Sequence, residues 1–109
     1  MEELVSKKQL ITIIGSGYVG MSLSVLLGKG NNHVKILDID KDKVNQINER
    51  KPILADKDLN KFLSLKSLQL KATCSSEDAL QNKNFYIIAT PTDFDENTNI
   101  RIIKNNTII

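Results

Sequence analysis

The chain has 109 residues, a mass of 12.2 kDa and a formal net charge of +2. This size allows one small domain, and 40% hydrophobic with 26% charged residues is typical of a folded globular protein rather than a disordered tail. The near balance of 15 basic and 13 acidic side chains predicts no nucleic-acid and no membrane partner. A single cysteine, Cys74, excludes an internal disulfide and a multi-cysteine metal site.

No apolar run approaches the roughly 18–20 residues of a membrane span. The segment Met1–Lys8 is polar and lacks the apolar core of a signal peptide. We therefore expect a cytoplasmic protein in a reducing compartment.

Four segments are apolar and β-branched or alternate in polarity, and each predicts a strand. They are residues 9–14, 34–38, 68–73 and 85–89. The segments between them predict helices. These are Met21–Leu27, Lys41 to about Asn48 with Asp40 as its N-cap, a short helix begun by Asp56 or Asp58, and another begun by Ser75 or Ser76.

This alternation predicts an α/β fold, a Rossmann-like doubly wound parallel sheet of about four strands with flanking helices. Residues 1–109 show no internal repeat and no linker, so we treat them as one domain. Residues 90–99 predict a polar loop. The tail from Asn99 to Ile109 is unusual because only Ile, Asn, Lys, Arg and Thr occur in it.

Gly15, Gly17 and Gly20 form a G-x-G-x-x-G pattern that closes a predicted strand and opens a predicted helix. In this context the first glycine allows a tight turn, the second lets the backbone approach a pyrophosphate, and the third lets the helix lie close to the sheet. The N–H groups at the helix start then attract phosphate. The alternative is a tight turn without a ligand.

Asp38 follows the second predicted strand and lies 18 residues beyond Gly20 (38 − 20 = 18). An acid about 20 residues past the glycines holds the adenosine ribose hydroxyls, and its charge repels a 2′-phosphate. The pattern favours NAD over NADP, although Lys41 and Lys43 close by weaken this preference. A solvated acid at a strand end is the alternative for Asp38, and Asp40 is expected to cap a helix rather than bind ribose.

The segment Thr90-Pro91-Thr92 follows the fourth predicted strand, at the sheet edge where ligands of open α/β folds bind. It is equally compatible with a cofactor contact and with an ordinary turn. Cys74 has no base near it in sequence, so an inert thiol is favoured over a nucleophile. His33 is expected to be a turn residue without a role, and the lysine-rich stretch Lys57–Lys71 a solvated face.

Several segments together resemble the UDP-glucose/GDP-mannose dehydrogenase family, and within it the UDP-glucose 6-dehydrogenases. They are Gly15-Ser-Gly-Tyr-Val-Gly20, Leu37-Asp-Ile39, Lys43-Val44, Pro52-Ile53 with Asp56, Ile87-Ile-Ala-Thr-Pro-Thr-Asp93 and Asp95 to Asn99. The resemblance covers roughly residues 9–99. Members of this family oxidise the primary alcohol of a nucleotide sugar to a carboxylate, using two NAD molecules in succession.

The resemblance implies that the loop Gly15–Gly20, with Ser16, Tyr18 and Val19 in it, holds the NAD pyrophosphate. It implies that Asp38 and Lys43 hold the adenosine ribose, and that Thr92, in the loop with Thr90, reaches the cofactor. The catalytic cysteine, the catalytic lysine and the UDP-sugar pocket of the family lie in a second half that this chain lacks. Cys74 does not match the catalytic cysteine.

The resemblance ends where the tail begins, which suggests two explanations. One hypothesis is that a frameshift or early stop truncated a longer dehydrogenase, because isoleucine, lysine and asparagine have A/T-rich codons. The alternative is a natural divergent segment, and the other reading frames of the coding DNA decide between them. Missing strands would expose a sheet edge and an apolar face, so we also expect self-association into a homo-oligomer.

Overall fold

In the computed structural model, the protein is described over residues 8–30, 32–52, 56–65, 67–91, 98–104 and 107–108. Six strands occur in these residues. They are β1 (Leu10–Ile14), β2 (His33–Leu37), β3 (Leu70–Thr73), β4 (Phe85–Pro91), β5 (Thr98–Lys104) and β6 (Thr107–Ile108). Four helices accompany them. They are α1 (Tyr18–Lys29), α2 (Lys41–Asn48), α3 (Lys57–Leu63) and α4 (Ser76–Ala79).

The strands form one sheet in the order β3-β2-β1-β4-β5-β6. Strand β1 lies at its centre and pairs in parallel with both β2 and β4, while β2 pairs in parallel with β3. The chain therefore winds outward from β1 in one direction and then returns to its other side. This is the predicted doubly wound arrangement, and it places a topological switch point at the carboxyl ends of β1 and β4.

The two faces of the sheet are covered unequally. Helix α1 lies against β1, β2 and β4, and α2 lies against β3. Together with α3 these helices bury one apolar core, which includes Ile11, Ile13, Ile36, Ile87 and Met21. The opposite face carries the short helix α4, which is held by a hydrogen bond from the buried Thr12 hydroxyl to the carbonyl of Ala79.

The sheet is not purely parallel as predicted, because β5 and β6 run antiparallel. Residues 98 and 99, which were predicted to lie in a loop, begin β5, and β4 extends to Pro91. The isoleucine-rich tail has high strand propensity, and it pairs with β4 so that Ile102 packs against the core. The β4 edge that we expected to be exposed is therefore covered.

Side chains that cap helices fix three of the four helix starts. Asp40 accepts hydrogen bonds from the N–H groups of Asp42 and Lys43, so its predicted capping role is confirmed. Asp56 rather than Asp58 caps α3, and Ser75 rather than Ser76 caps α4. Helix α1 begins at Tyr18, three residues before the predicted start, because Gly17 is its N-cap. No helix within the described residues is long and apolar enough to cross a bilayer.

Arg50 ties the segment before β3 to the end of α2. Its φ of 61° places it in the left-handed region that ordinary side chains rarely adopt. Its guanidinium donates hydrogen bonds to the carbonyls of Leu63, Leu68 and Leu70 at 3.1, 3.1 and 2.7 Å. One planar cation therefore binds three carbonyl groups, at the end of α3, in the connecting segment and at the start of β3.

We predict that Arg50→Lys lowers the free energy of unfolding by about 1–3 kcal/mol, because a lysine ammonium cannot reach three divergent carbonyls. Urea unfolding followed by circular dichroism measures the change. Lys51→Ala is the matched control, since Lys51 forms only an exposed pair with Glu49 and its removal is expected to cost under ~1 kcal/mol. Equal stability of Arg50→Lys and the wild type would contradict the role assigned to Arg50.

Candidate functional site at the carboxyl edge of the sheet

The turn between β1 and α1 is tight because two of its glycines meet. Gly15 has a φ of 108°, and its N–H donates to the carbonyl of Leu37 at 3.0 Å, which ties the turn to the end of β2. A Cβ atom on Gly20 would lie 2.0 Å from the carbonyl oxygen of Gly15. Helix α1 can therefore start this close to the turn only with glycine at position 20.

The amino end of α1 is open. Gly17 is exposed, and a Cβ added to it would meet nothing within 4 Å. No side chain caps α1, and its first turn contains no acid. The helices α2, α3 and α4 each have both a side-chain cap and an acid in the first turn. Among the four described helices, α1 alone thus leaves its free N–H groups and positive dipole end available to an anion.

Asp38 is held beside this turn by its own hydrogen bonds. The buried hydroxyl of Ser16 donates to one carboxylate oxygen of Asp38, and the N–H of Asp40 donates to the other at 2.9 Å. Partial burial opposes ionisation of Asp38, but these two hydrogen bonds and the charge of Lys43 outweigh it. The pKa of Asp38 is therefore below its usual value. A fixed carboxylate at the strand end can accept hydrogen bonds from sugar hydroxyls.

A cleft of about 230 Å³ opens next to Asp38, between the carboxyl ends of β1 and β2. Its walls are apolar apart from the carboxylate, and they are formed by Ile14, Gly15, Leu37, Asp38 and Ile39. Ile39 is 95% exposed, so its side chain is accessible to a ligand at the rim of this cleft. A flat, partly apolar group could stack in this cleft while its polar neighbour reached Asp38.

Tyr18 joins the first turn of α1 to the start of α3, a contact that the sequence analysis missed. Its hydroxyl donates to a carboxylate oxygen of Asp56 at 2.9 Å, and Asp56 also caps α3. The hydrogen bond to the Asp56 carboxylate raises the pKa of Tyr18. The N–H of Leu59 and then the Tyr18 hydroxyl lower the pKa of Asp56. The two residues are 38 positions apart, so no local pattern indicates that they meet.

The structure brings most of the predicted site residues to one edge of the sheet. The turn Gly15–Gly20, Asp38 and Lys43 lie together at the carboxyl ends of β1 and β2. Thr90 lies in β4, at the same edge, and its backbone pairs with Asn99. The Thr90 side chain and all of Thr92 are outside the described residues. Their cofactor contacts stay predictions.

Cys74 and His33 lie at opposite edges of the sheet and do not form a catalytic pair. Cys74 follows β3 and is exposed, whereas His33 begins β2. Because β2 and β3 are parallel, the end of one strand lies far from the start of the other. No group of three or more potential metal ligands occurs among the described residues.

Residues 9–107 match the sequence model of the UDP-glucose/GDP-mannose dehydrogenase family, NAD binding domain. The chain belongs to this family. NAD is therefore the cofactor of the domain, as the glycine turn and Asp38 predicted. The uncapped start of α1 and the carboxylate beside it fit a ligand that carries both phosphates and hydroxyl groups.

Comparison with two relatives shows what share of the length of a family member this chain spans. It is 43% identical over 99 residues to the UDP-glucose 6-dehydrogenase of Campylobacter jejuni, covering 87% of this chain and 25% of the relative. It is 44% identical over 89 residues to the UDP-glucose 6-dehydrogenase of Streptococcus pneumoniae, covering 82% of this chain and 22% of the relative. The chain thus spans about a quarter of the length of these relatives.

Two solved structures share the fold. A UDP-glucose dehydrogenase from Pyrobaculum islandicum aligns with a TM-score of 0.72 at 24% identity, covering 81% of this chain and 22% of that structure. A GDP-mannose dehydrogenase from Pseudomonas aeruginosa aligns with a TM-score of 0.69 at 23% identity, covering 82% of this chain and 21% of that structure. At these identities the likeness establishes the Rossmann-like architecture alone.

Adding one methyl group at Gly20 and at Gly17 is expected to change the free energy of unfolding by very different amounts. Gly20→Ala is expected to lower the free energy of unfolding by several kcal/mol, on the order of 3, because the new Cβ collides with the Gly15 carbonyl. Gly17→Ala has open space around it and an ordinary φ of −69°, so it is expected to keep the stability of the wild type within about 0.5 kcal/mol. Thermal and urea unfolding measure both variants, and a Gly20→Ala protein as stable as the wild type would contradict this packing.

Proposed function

We propose that this chain is the NAD-binding part of a UDP-glucose 6-dehydrogenase, an enzyme that oxidises UDP-glucose to UDP-glucuronate. The observation that carries the proposal is the pairing of the open α1 start with Asp38, which Ser16 holds against the same turn. The identities of 43% and 44% to bacterial enzymes of this name support the choice of substrate.

In the proposed complex the N–H groups of the turn Gly15–Gly20 bind the NAD pyrophosphate, and exposed Gly17 lets the phosphates approach the backbone. Asp38 accepts hydrogen bonds from the adenosine ribose hydroxyls, and Lys43 lies beside that carboxylate. The apolar cleft at Ile39 receives the adenine ring. NAD supplies the hydride acceptor of the reaction, while these residues bind and orient it.

Binding of NAD tests this assignment directly. By isothermal calorimetry the wild-type chain is expected to bind NAD more tightly than NADP, since Asp38 is ionised and repels a 2′-phosphate. Asp38→Ala is expected to weaken NAD binding about tenfold or more, through the loss of charge-assisted hydrogen bonds.

Asp42→Ala is the matched control, because Asp42 is an exposed acid on the neighbouring helix and caps nothing with its side chain. Asp38→Asn retains an acceptor for the Ser16 hydroxyl and separates loss of the charge from loss of folding. Equal affinity of Asp38→Ala and wild type for NAD, with both proteins folded, would rule out the proposed role of Asp38.

The chain by itself is expected not to oxidise UDP-glucose. In the described residues the only cysteine, Cys74, is exposed and lies at the opposite edge of the sheet from His33. The UDP-sugar is proposed to bind only together with the second half of the enzyme. Formation of NADH from UDP-glucose and NAD, followed at 340 nm, measures this, and turnover by the purified chain alone would overturn the proposal.

A non-catalytic nucleotide-binding module is the second candidate function, and the separation of the exposed Cys74 from His33 at the opposite edge of the sheet favours it. Two results would favour this module over the first candidate. One is a lack of turnover even when the second half of the enzyme is added, and the other is selective binding of an adenine nucleotide other than NAD.

Self-association of the chain also stays a prediction, supported by the sparsely covered α4 face of the sheet. A monomer in sedimentation at high concentration would contradict it.

The exposed free thiol of Cys74 supports a reducing, cytoplasmic setting, which cell fractionation tests.

A further inference from the structure

A second cleft, larger than the one at Asp38, lies at the opposite edge of the sheet. Its volume is about 450 Å³. Its lining comes from the amino ends of β1, β2 and β3 and from the segment just before β4. The side chains of interest here are His33, Lys35, Lys71 and Lys83, with Leu10 on the apolar side. We call this feature the amino-edge cleft.

Three lysines line the amino-edge cleft. Lys35 and Lys71 are directly paired in the register of β2 and β3, so they project from the same face of the sheet. Burial and then the charge of Lys35 lower the pKa of Lys83, which places Lys83 within electrostatic reach of Lys35. His33 precedes Lys35 by two strand positions and shares its face.

This positive charge is only partly compensated. Asp78 pairs with Lys35 at 2.8 Å, and it is the only acid within ion-pair distance of these lysines in the part of the chain that the structure describes. One carboxylate thus faces three ammonium groups. Like charges on directly paired strand positions are destabilising. An anion in the cleft would relieve this repulsion.

The shape of the cleft indicates a small ligand. Its volume falls within the roughly 300–1,000 Å³ of sites that bind small molecules. Leu10, which is 41% exposed, supplies an apolar surface beside the charged groups, while Leu68 and Leu70 form the buried floor of the cleft. The net charge of +2 for the whole chain provides no extended basic surface of the kind that tracks nucleic acid.

We propose that the amino-edge cleft binds a small phosphate-bearing anion at a site separate from the dinucleotide site. Lys71 and Lys83 contact its phosphate groups, Lys35 contributes charge while paired with Asp78, and Leu10 contacts its less polar part. The site uses no residue of the glycine turn, so its occupancy does not depend on the proposed function.

Inorganic pyrophosphate is the probe, titrated into the ¹⁵N-labelled full chain at constant ionic strength and followed by NMR. We expect saturable shifts at the amides of Leu10, His33–Lys35, Leu70–Lys71 and Lys83. Amides of Gly15–Gly20 report any separate binding at the glycine turn. The two sites are therefore distinguished in one spectrum, whether or not NAD binds.

The variant Lys71→Gln/Lys83→Gln is expected to weaken pyrophosphate binding at the amino-edge amides about tenfold or more. The matched control Lys57→Gln/Lys61→Gln removes two exposed lysines from α3. It is expected to change the affinity for pyrophosphate at the amino-edge amides by less than about twofold. Both variants keep the wild-type fold, checked by circular dichroism.

Three outcomes would overturn the proposal, two of them in the pyrophosphate titration and one in a comparison with DNA. One is a set of pyrophosphate shifts confined to Gly15–Gly20, and the other is an equal loss of affinity in both double variants, which would indicate nonspecific charge attraction. Tighter binding of a short single-stranded DNA than of pyrophosphate at the same amides would also overturn it, because the cleft would then serve nucleic acid.

Discussion

The contact between Gly20 and the carbonyl of Gly15 determines where helix α1 begins and what its first turn can do. At this distance no side chain fits between the turn and the helix, so the backbone itself forms the end of the crevice. Gly17 then becomes an N-cap without a side chain. A helix that lacks both a cap and a first-turn acid needs another partner for its N–H groups, and a phosphate is the partner with the matching charge.

The same turn also positions the acid. Gly15 donates to the carbonyl of Leu37, which fixes the end of β2 against the turn, and Ser16 donates to the carboxylate one residue further along. The glycine turn and the carboxylate of Asp38, to which we assign phosphate and ribose binding under the proposed function, are therefore parts of one hydrogen-bonded unit. Their relative position follows from backbone contacts more than from flexible side chains, which limits the reorganisation that a bound dinucleotide would require.

Local sequence patterns predicted most of the fold because three of the four parallel strands carry apolar, largely β-branched residues and β3 alternates in polarity. The cap at Asp40 was predicted, and Asp56 and Ser75 were each one of two predicted candidates, since a side-chain oxygen and the N–H whose hydrogen bond it accepts are two or three residues apart. The glycine turn was predictable because its spacing is local. Its context between a strand and a helix made the interpretation specific.

The features that the sequence did not indicate all join distant positions. The hydrogen bond from Tyr18 to Asp56 spans 38 residues, and the one from Ser16 to Asp38 spans 22. The carbonyls bound by Arg50 lie 13 to 20 residues away. The direction of β5 could not be predicted either, because the isoleucines of the tail favour a strand but do not determine whether it runs parallel or antiparallel. Pairing with the free side of β4 determines that direction.

The two edges of the sheet present different electrostatic environments. At the carboxyl edge, positive charge comes from a helix end, and a carboxylate with a lowered pKa stands next to it. That combination selects a ligand with phosphates at one point and uncharged hydroxyls at another. At the amino edge, positive charge comes from lysine side chains on neighbouring strands, with one acid among them. That combination favours concentrated negative charge. Because the glycine turn lies at the carboxyl ends of β1 and β2 and the lysines line the amino-edge cleft, the two binding reactions involve different side chains and can be followed separately.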